Sequence, residues 1–108
     1  MHDAHTRFYN DFPPGEAAHW ALKIHKHSRL AYASPLTYAA YKAFPSSYLF
    51  MTRDAAVPLF MQQRLAHAAG ITETAEVDAG HFAVISCPGG VKDFIRRSAG
   101  EQIHSARL

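Results

Sequence analysis

The hydrophobic period changes midway along this chain, and that change restricts the fold more than any other feature. Ser47 to Thr52 (Ser-Tyr-Leu-Phe-Met-Thr) is short, apolar and aromatic, which predicts a buried strand. Pro58 to Ala69 predicts a helix, with Leu59, Met61, Leu65 and Ala69 among its apolar positions and Gly70 as its stop. Thr74 to Asp78 predicts a second strand centred on Val77. Pro88 to Ala99 predicts a final helix with Val91, Phe94 and Ile95 at core spacing. Strand, helix, strand and helix in this order imply two parallel strands joined by a right-handed crossover. Two strands alone are seldom stable, because their edges stay unpaired and their faces only partly covered. The expectation is an incomplete sheet that a second chain or an oligomer completes.

The residues before this βαβα unit (47–101) have a different character. Residues 1–7 are polar and read as a loose end, and 102–108 as a tail. The stretch 8–46 reads as helical. Pro13-Pro14-Gly15 launches a helix from Glu16 to about Lys26, with Ala17, Trp20, Ala21 and Ile24 on one face and His25 and His27 favourable near its negative end. Ser34-Pro35 predicts another helix start, with Ser34 as cap and Pro35 in the first turn, running through Tyr38 and Tyr41 and stopping before Pro45. Trp20, Tyr32, Tyr38, Tyr41 and Phe44 read as core packing rather than as the lining of a substrate pocket.

Composition narrows the function classes. The 108 residues allow one small domain, and a net charge of +2 with scattered Lys and Arg argues against a nucleic-acid or anionic-membrane surface. Arg96-Arg97 reads as a solvated face. The single Cys87 excludes an internal disulfide and fits a reducing, cytoplasmic setting. There is no apolar leader segment at the start and no apolar run approaching the ~20 residues of a membrane helix. His2-x-x-His5 and His25-x-His27 raise the question of a metal, but no Cys or carboxylate spacing completes a zinc site, so neither metal nor cofactor is expected.

Two residues carry the candidate chemistry. Asp54 lies just past the carboxyl end of the first strand and His81 in the loop after the second, where parallel sheets bind their ligands. An Asp there can accept from one imidazole nitrogen, fix the tautomer and leave the other nitrogen free to take a proton. Gly80 would let the backbone turn tightly before His81. The plain alternatives are a helix cap for Asp54 and a solvated loop residue for His81. No G-x-S-x-G is present, so the nucleophile of a triad is absent. Ser86 and Cys87, just before a Pro-led helix, do not form a strand-to-helix elbow, and Cys87 reads as a small buried hydrophobe.

These residues sit in longer segments with a family likeness. Tyr48-Leu49-Phe50-Met51-Thr52-Arg53-Asp54-Ala55-Ala56-Val57-Pro58, then Gln62, resembles the acid-bearing segment of α/β-hydrolases of the methylesterase and hydroxynitrile-lyase-like group. Ala79-Gly80-His81-Phe82 followed by Ser86-Cys87-Pro88 resembles their catalytic-His segment. Phe8-Tyr9-Asn10-Asp11 with the helix from Glu16 resembles the end of their cap, and Thr37-Tyr38-Ala39-Ala40-Tyr41 with Pro45-Ser46-Ser47-Tyr48-Leu49 the return from cap to core. The likeness runs from Phe8 to about Glu101. It departs at Phe82-Ala83-Val84, where a Ser-Pro-Phe type sequence is common, and at Gly89-Gly90, where an acidic pair is common.

The resemblance implies an α/β fold, specifically the C-terminal part of a hydrolase core. It also implies hydrolysis of a small-molecule ester, often of a specialised metabolite, with His81 as general base and Asp54 as orienting acid. The strands that would carry the nucleophile and the oxyanion donors are not among these residues. The expectation is a truncated hydrolase, or alternatively an inactive remnant serving as a binding or interaction module.

Overall fold

The computed structural model describes residues 3–101. The elements are α1 (Ala4–Arg7), α2 (Pro14–Ala21), α3 (Arg29–Ala33), α4 (Ala40–Ala43), β1 (Ser47–Met51), α5 (Leu59–Ala68), β2 (Glu73–Val77), α6 (Ala83–Ser86) and α7 (Pro88–Ser98). The strands form a two-stranded parallel sheet in which Ser47 is opposite Glu73 and Met51 opposite Val77. This is a small open α/β sheet, a partial fold of its class, as the alternating pattern predicts.

The second half follows the local sequence signals closely. Pro58 and Pro88 stand at the starts of α5 and α7, where a missing N–H costs nothing. Gly70 takes φ +72° and ends α5, with its own N–H on His67 C=O and that of Ile71 on Ala66 C=O. Gly90 has a packing reason: a Cβ there would lie 3.0 Å from Val77 Cγ2, so glycine lets α7 approach β2.

The apolar positions of α5 are not the ones it buries. Its buried residues are Gln62 and Ala66, whereas Met61 and Leu65 are exposed. Gln62, only 1% exposed, replaces a missing strand neighbour. The Thr52 N–H bonds toward β2, so the peptide groups of Met51 face the opposite edge. There the Gln62 amide accepts from Met51 N–H (2.9 Å), and its Nε2 donates to Met51 C=O (2.9 Å) and Val57 C=O (2.8 Å). A polar side chain thus seals the end of an otherwise open edge.

The first half departs further from expectation. Residues 4–7 form a helical turn, held by Thr6 and Arg7 N–H bonds to Asp3 C=O, where a loose end was expected. The helix expected to reach Lys26 stops at Ala21: the Lys23 and Ile24 N–H groups bond three residues back, to Trp20 and Ala21 C=O, and Leu22 is 88% exposed. His25 and His27 therefore lie beyond the helix, outside the reach of its dipole. Ser34 does not start a helix: it closes α3, its hydroxyl donating back to Leu30 C=O (2.7 Å). Tyr32, Tyr38, Tyr41 and Phe44 are exposed rather than core, since no second layer covers this stretch. Trp20 alone of that set packs, against the Tyr9, Phe12 and Ala17 cluster. A second cluster, Val77, Ala79 and Ala83 with Leu49, Met51, Cys87 and Val91, lies under the sheet. Among the described residues, no helix is long and apolar enough to cross a membrane.

Replacing Gln62 with Ala removes three hydrogen bonds and leaves partly buried backbone groups of Met51 without these partners. The expected cost is about 3 kcal/mol, read from urea unfolding. A loss under about 0.5 kcal/mol would contradict the role of this amide as a substitute strand neighbour.

Candidate active site

The parallel register sends both post-strand loops out of the same end of the sheet. There the backbone keeps them together past the last ladder pair: Thr52 N–H donates to Val77 C=O (3.0 Å) and Arg53 N–H to Ala79 C=O (3.0 Å). The Arg53 guanidinium also binds the Asp78 carboxylate (2.9 Å) and carbonyl (2.9 Å).

Asp54 and His81 meet across these loops, with Nδ1 of His81 2.9 Å from Oδ2 of Asp54. The Asp54 side chain is 1% exposed and that of His81 30%. The other Asp54 oxygen, Oδ1, accepts from Ala56 N–H (2.8 Å) and Val57 N–H (2.9 Å). Asp54 thus holds its own loop ahead of α5 with one oxygen and faces the imidazole with the other. The cap-like reading and the dyad reading describe two oxygens of one carboxylate. A carboxylate only accepts, so the bond to His81 places the hydrogen on Nδ1 and leaves Nε2 with its lone pair. The charge of Asp54 also reaches Tyr48, whose phenol is pushed up from its ordinary value first by burial and then by this carboxylate.

Aromatic rings fix the imidazole from the side, with Phe8 5.4 Å and Phe82 5.0 Å away between ring centres. His81 borders two hollows. One of about 460 Å³ is lined by Phe8, Ile24, Tyr32 and Phe82 together with His25 and His27. The other, of about 290 Å³, is lined by Leu49, Met51, Val91 and Phe94. The hollows at the opposite, amino end of the strands are smaller, about 80 and 210 Å³, and lie away from both site residues.

Two further residues complete the surroundings, Asn10 and Asp11, neither of them singled out from sequence as a site residue. Asn10 Nδ2 donates to Arg53 C=O (2.7 Å), and Asp11 Oδ2 accepts from Gly80 N–H (2.8 Å) and from the Ser86 hydroxyl (2.6 Å). Burial works to raise the Asp11 carboxyl. The Gly80 and Ser86 bonds and the Arg53 charge outweigh it, so the group is held below its ordinary 3.8. Ser86 is committed to Asp11 rather than to His81, and Cys87 packs in the cluster beneath the sheet. Gly80 has a role other than the expected tight turn. Its φ is not positive, but a Cβ would lie 2.5 Å from Asn10 Oδ1 and 2.6 Å from Asp11 Oδ1. Among the described residues no group of three or more His, Cys, Asp or Glu stands ready to hold a metal ion, and His2 lies outside them.

Comparison with known proteins gives the family of the chain. Residues 2–94 match the model of the alpha/beta hydrolase family. The chain belongs to that family. It is also similar to the alpha/beta hydrolase nvfD of Aspergillus novofumigatus (strain IBT 16806), with 35% identity over 97 residues. That match covers 88% of this chain and 38% of the relative, so the chain spans well under half of the relative's length. No solved structure matches it. As an α/β-hydrolase chain, it has both loop residues of interest at the carboxyl ends of its strands, the end at which open parallel sheets bind ligands.

The lowered Asp11 value has a consequence for acid stability. Its folded carboxyl binds a proton less readily than the unfolded one, so its contribution is complete above 3.8 and disappears as pH falls through the lowered value. Urea unfolding between about pH 5 and about pH 2 should show a smaller loss of stability in Asp11→Asn than in the unaltered protein. Equal losses would contradict the assignment.

Proposed function

We propose that this chain carries the acid–base half of a serine-type ester hydrolase. His81 is the general base and Asp54 its orienting acid. The nucleophilic Ser and the oxyanion donors come from sequence outside these 108 residues. The observation that carries the reading is the 2.9 Å bond from His81 Nδ1 to a buried carboxylate whose second oxygen is already engaged. This leaves Nε2 as the basic atom at the sheet's carboxyl end.

The chemistry follows from that geometry. A Ser hydroxyl adds to the ester carbonyl carbon while Nε2 takes its proton. The imidazolium, stabilised by Asp54, returns the proton to the departing alkoxide. A water then repeats the sequence on the acyl intermediate and regenerates Ser. Asp54 stays ionised throughout. The apolar and aromatic wall of the larger hollow, Phe8, Ile24, Tyr32 and Phe82, suits a small-molecule ester. The likeness to the methylesterase and hydroxynitrile-lyase-like group favours esters of specialised metabolites, and the single Cys fits a reducing, cytoplasmic setting.

A second reading rests on a different observation. Among the described residues the outer edge of β1 has no strand beside it, and Leu30, Leu36, Phe44, Phe60 and Leu65 are all more than half exposed. A binding module without turnover would use that surface to take up another polypeptide that completes the sheet.

The two separate in an assay on the longest polypeptide that contains this segment, with a p-nitrophenyl ester as substrate. The hydrolase reading predicts turnover that falls on the order of 10⁴-fold in both His81→Ala and Asp54→Asn. Turnover that survives His81→Ala would sink it. A folded protein with no turnover in any form would leave the binding module as the better account.

A further inference from the structure

The two loops that hold Asp54 and His81 are gripped by two consecutive residues from far away in the chain. Asn10 donates to the carbonyl of Arg53, the residue immediately before Asp54 (2.7 Å). Asp11 accepts from the N–H of Gly80, the residue immediately before His81 (2.8 Å). We infer that Asn10-Asp11 is a clasp that sets the spacing of the two loops, and that Asp11 is a positioning residue for His81. The inference goes beyond the proposed hydrolysis, though its catalytic meaning rests on that reading.

The clasp is fitted from several sides. Asp11 Oδ2 also accepts from the Ser86 hydroxyl (2.6 Å), so the start and the end of the segment from Gly80 to Ser86 hang on one oxygen atom. The absent Cβ of Gly80 makes room for the two side chains, which would otherwise meet it at 2.5 and 2.6 Å. Any larger residue would push Asn10-Asp11 off the loop. The same N-terminal segment places Phe8 against the imidazole, 5.4 Å between ring centres. Tyr9 and Phe12, on either side of the clasp, are buried in their own cluster, and Tyr9 stacks on Phe82 at 5.3 Å. The clasp is thus anchored on a packed core and reaches out to both loops. The charge-assisted bonds that hold the Asp11 carboxyl below its ordinary value agree with this.

The backbone ladder alone does not fix the site. Its last bonds are at Arg53 and Ala79, one residue short of Asp54 and two short of His81. The clasp acts on the peptide groups just beyond, Arg53 C=O and Gly80 N–H, and a shift of under 1 Å in the residues they lead into breaks the 2.9 Å bond between His81 and Asp54. A residue that merely stabilised the fold would leave the folded protein's His81–Asp54 bond unchanged when removed. A positioning residue would not.

The tautomer of His81 reads this difference without any need for turnover. Long-range ¹H–¹⁵N NMR above the imidazole titration range should show His81 as the Nδ1–H form in the unaltered 108-residue protein. In Asp11→Ala the ratio of Nδ1–H to Nε2–H should fall on the order of tenfold, as expected for loss of a charge-assisted hydrogen bond. Asp11→Asn, which keeps a carbonyl oxygen for Gly80 N–H, should restore the Nδ1–H form. Asn10→Ala changes an exposed residue, so it supplies the test if Asp11→Ala does not fold; it should also shift the ratio toward Nε2–H. Folded variants Asp11→Ala or Asn10→Ala with an unchanged Nδ1–H form would overturn the clasp. An unaltered protein already in the Nε2–H form would overturn both the clasp and the dyad. Absence of ester turnover with the predicted tautomer changes would refute the hydrolase reading alone.

Discussion

Pairing Met51 with Val77 decides where the candidate site of this chain sits. With that register, Asp54 comes three residues after one strand and His81 four residues after its neighbour, both at the same end of the sheet. A slip by one residue would turn every side chain of one strand to the opposite face, moving Val77 out of its cluster with Ala79 and Ala83. The register therefore links apolar packing below the sheet to alignment of the polar groups beyond its end. The Gln62 amide reinforces it by closing the outer edge at Met51, the last residue before the site loop.

The polar groups beyond the strands are arranged by division of labour within single carboxylates. Asp54 uses one oxygen for its own loop and one for His81. Asp11 concentrates both of its bonds on Oδ2 and leaves Oδ1 buried without a partner. Such an atom carries a desolvation cost that the two bonds on Oδ2 and the nearby Arg53 charge offset. The apolar side chains show the opposite economy. Many large ones in the first half, and on α5 and α7, are exposed, which agrees with a chain that matches 38% of its relative's length. A sheet of two strands has too little surface to cover them.

The second half was legible because its signals are local. Pro58 and Pro88 start helices, Gly70 stops one, and the apolar runs around Phe50 and Val77 have strand length. Once the order is βαβα, the residues after each strand are obvious places to look, which is how Asp54 and His81 come into view. The first half misled because helical spacing says nothing about whether a partner face exists. Tyr38 and Tyr41 have the helical spacing but no layer to bury them, so only short turns form. Ser34-Pro35 carried a good cap signal that lost to a bond back to Leu30. Asn10, Asp11 and Gln62 belong to a different class. Their value lies in partners 43, 69 and 11 residues away, and no local pattern in a single sequence encodes such pairings.

The 2.9 Å contact between His81 and Asp54 implies that the two are energetically joined in the folded chain. A double-mutant cycle of Asp54→Ala, His81→Ala and the double variant, followed by urea unfolding at neutral pH, tests it most directly. Loss of the Ala56 and Val57 bonds occurs with and without His81, so it cancels and only the pair's own interaction remains. A coupling of about 1 kcal/mol or more is expected, as for a partly buried hydrogen bond to a charged group. A coupling within about 0.3 kcal/mol of zero, with all variants folded, would contradict it.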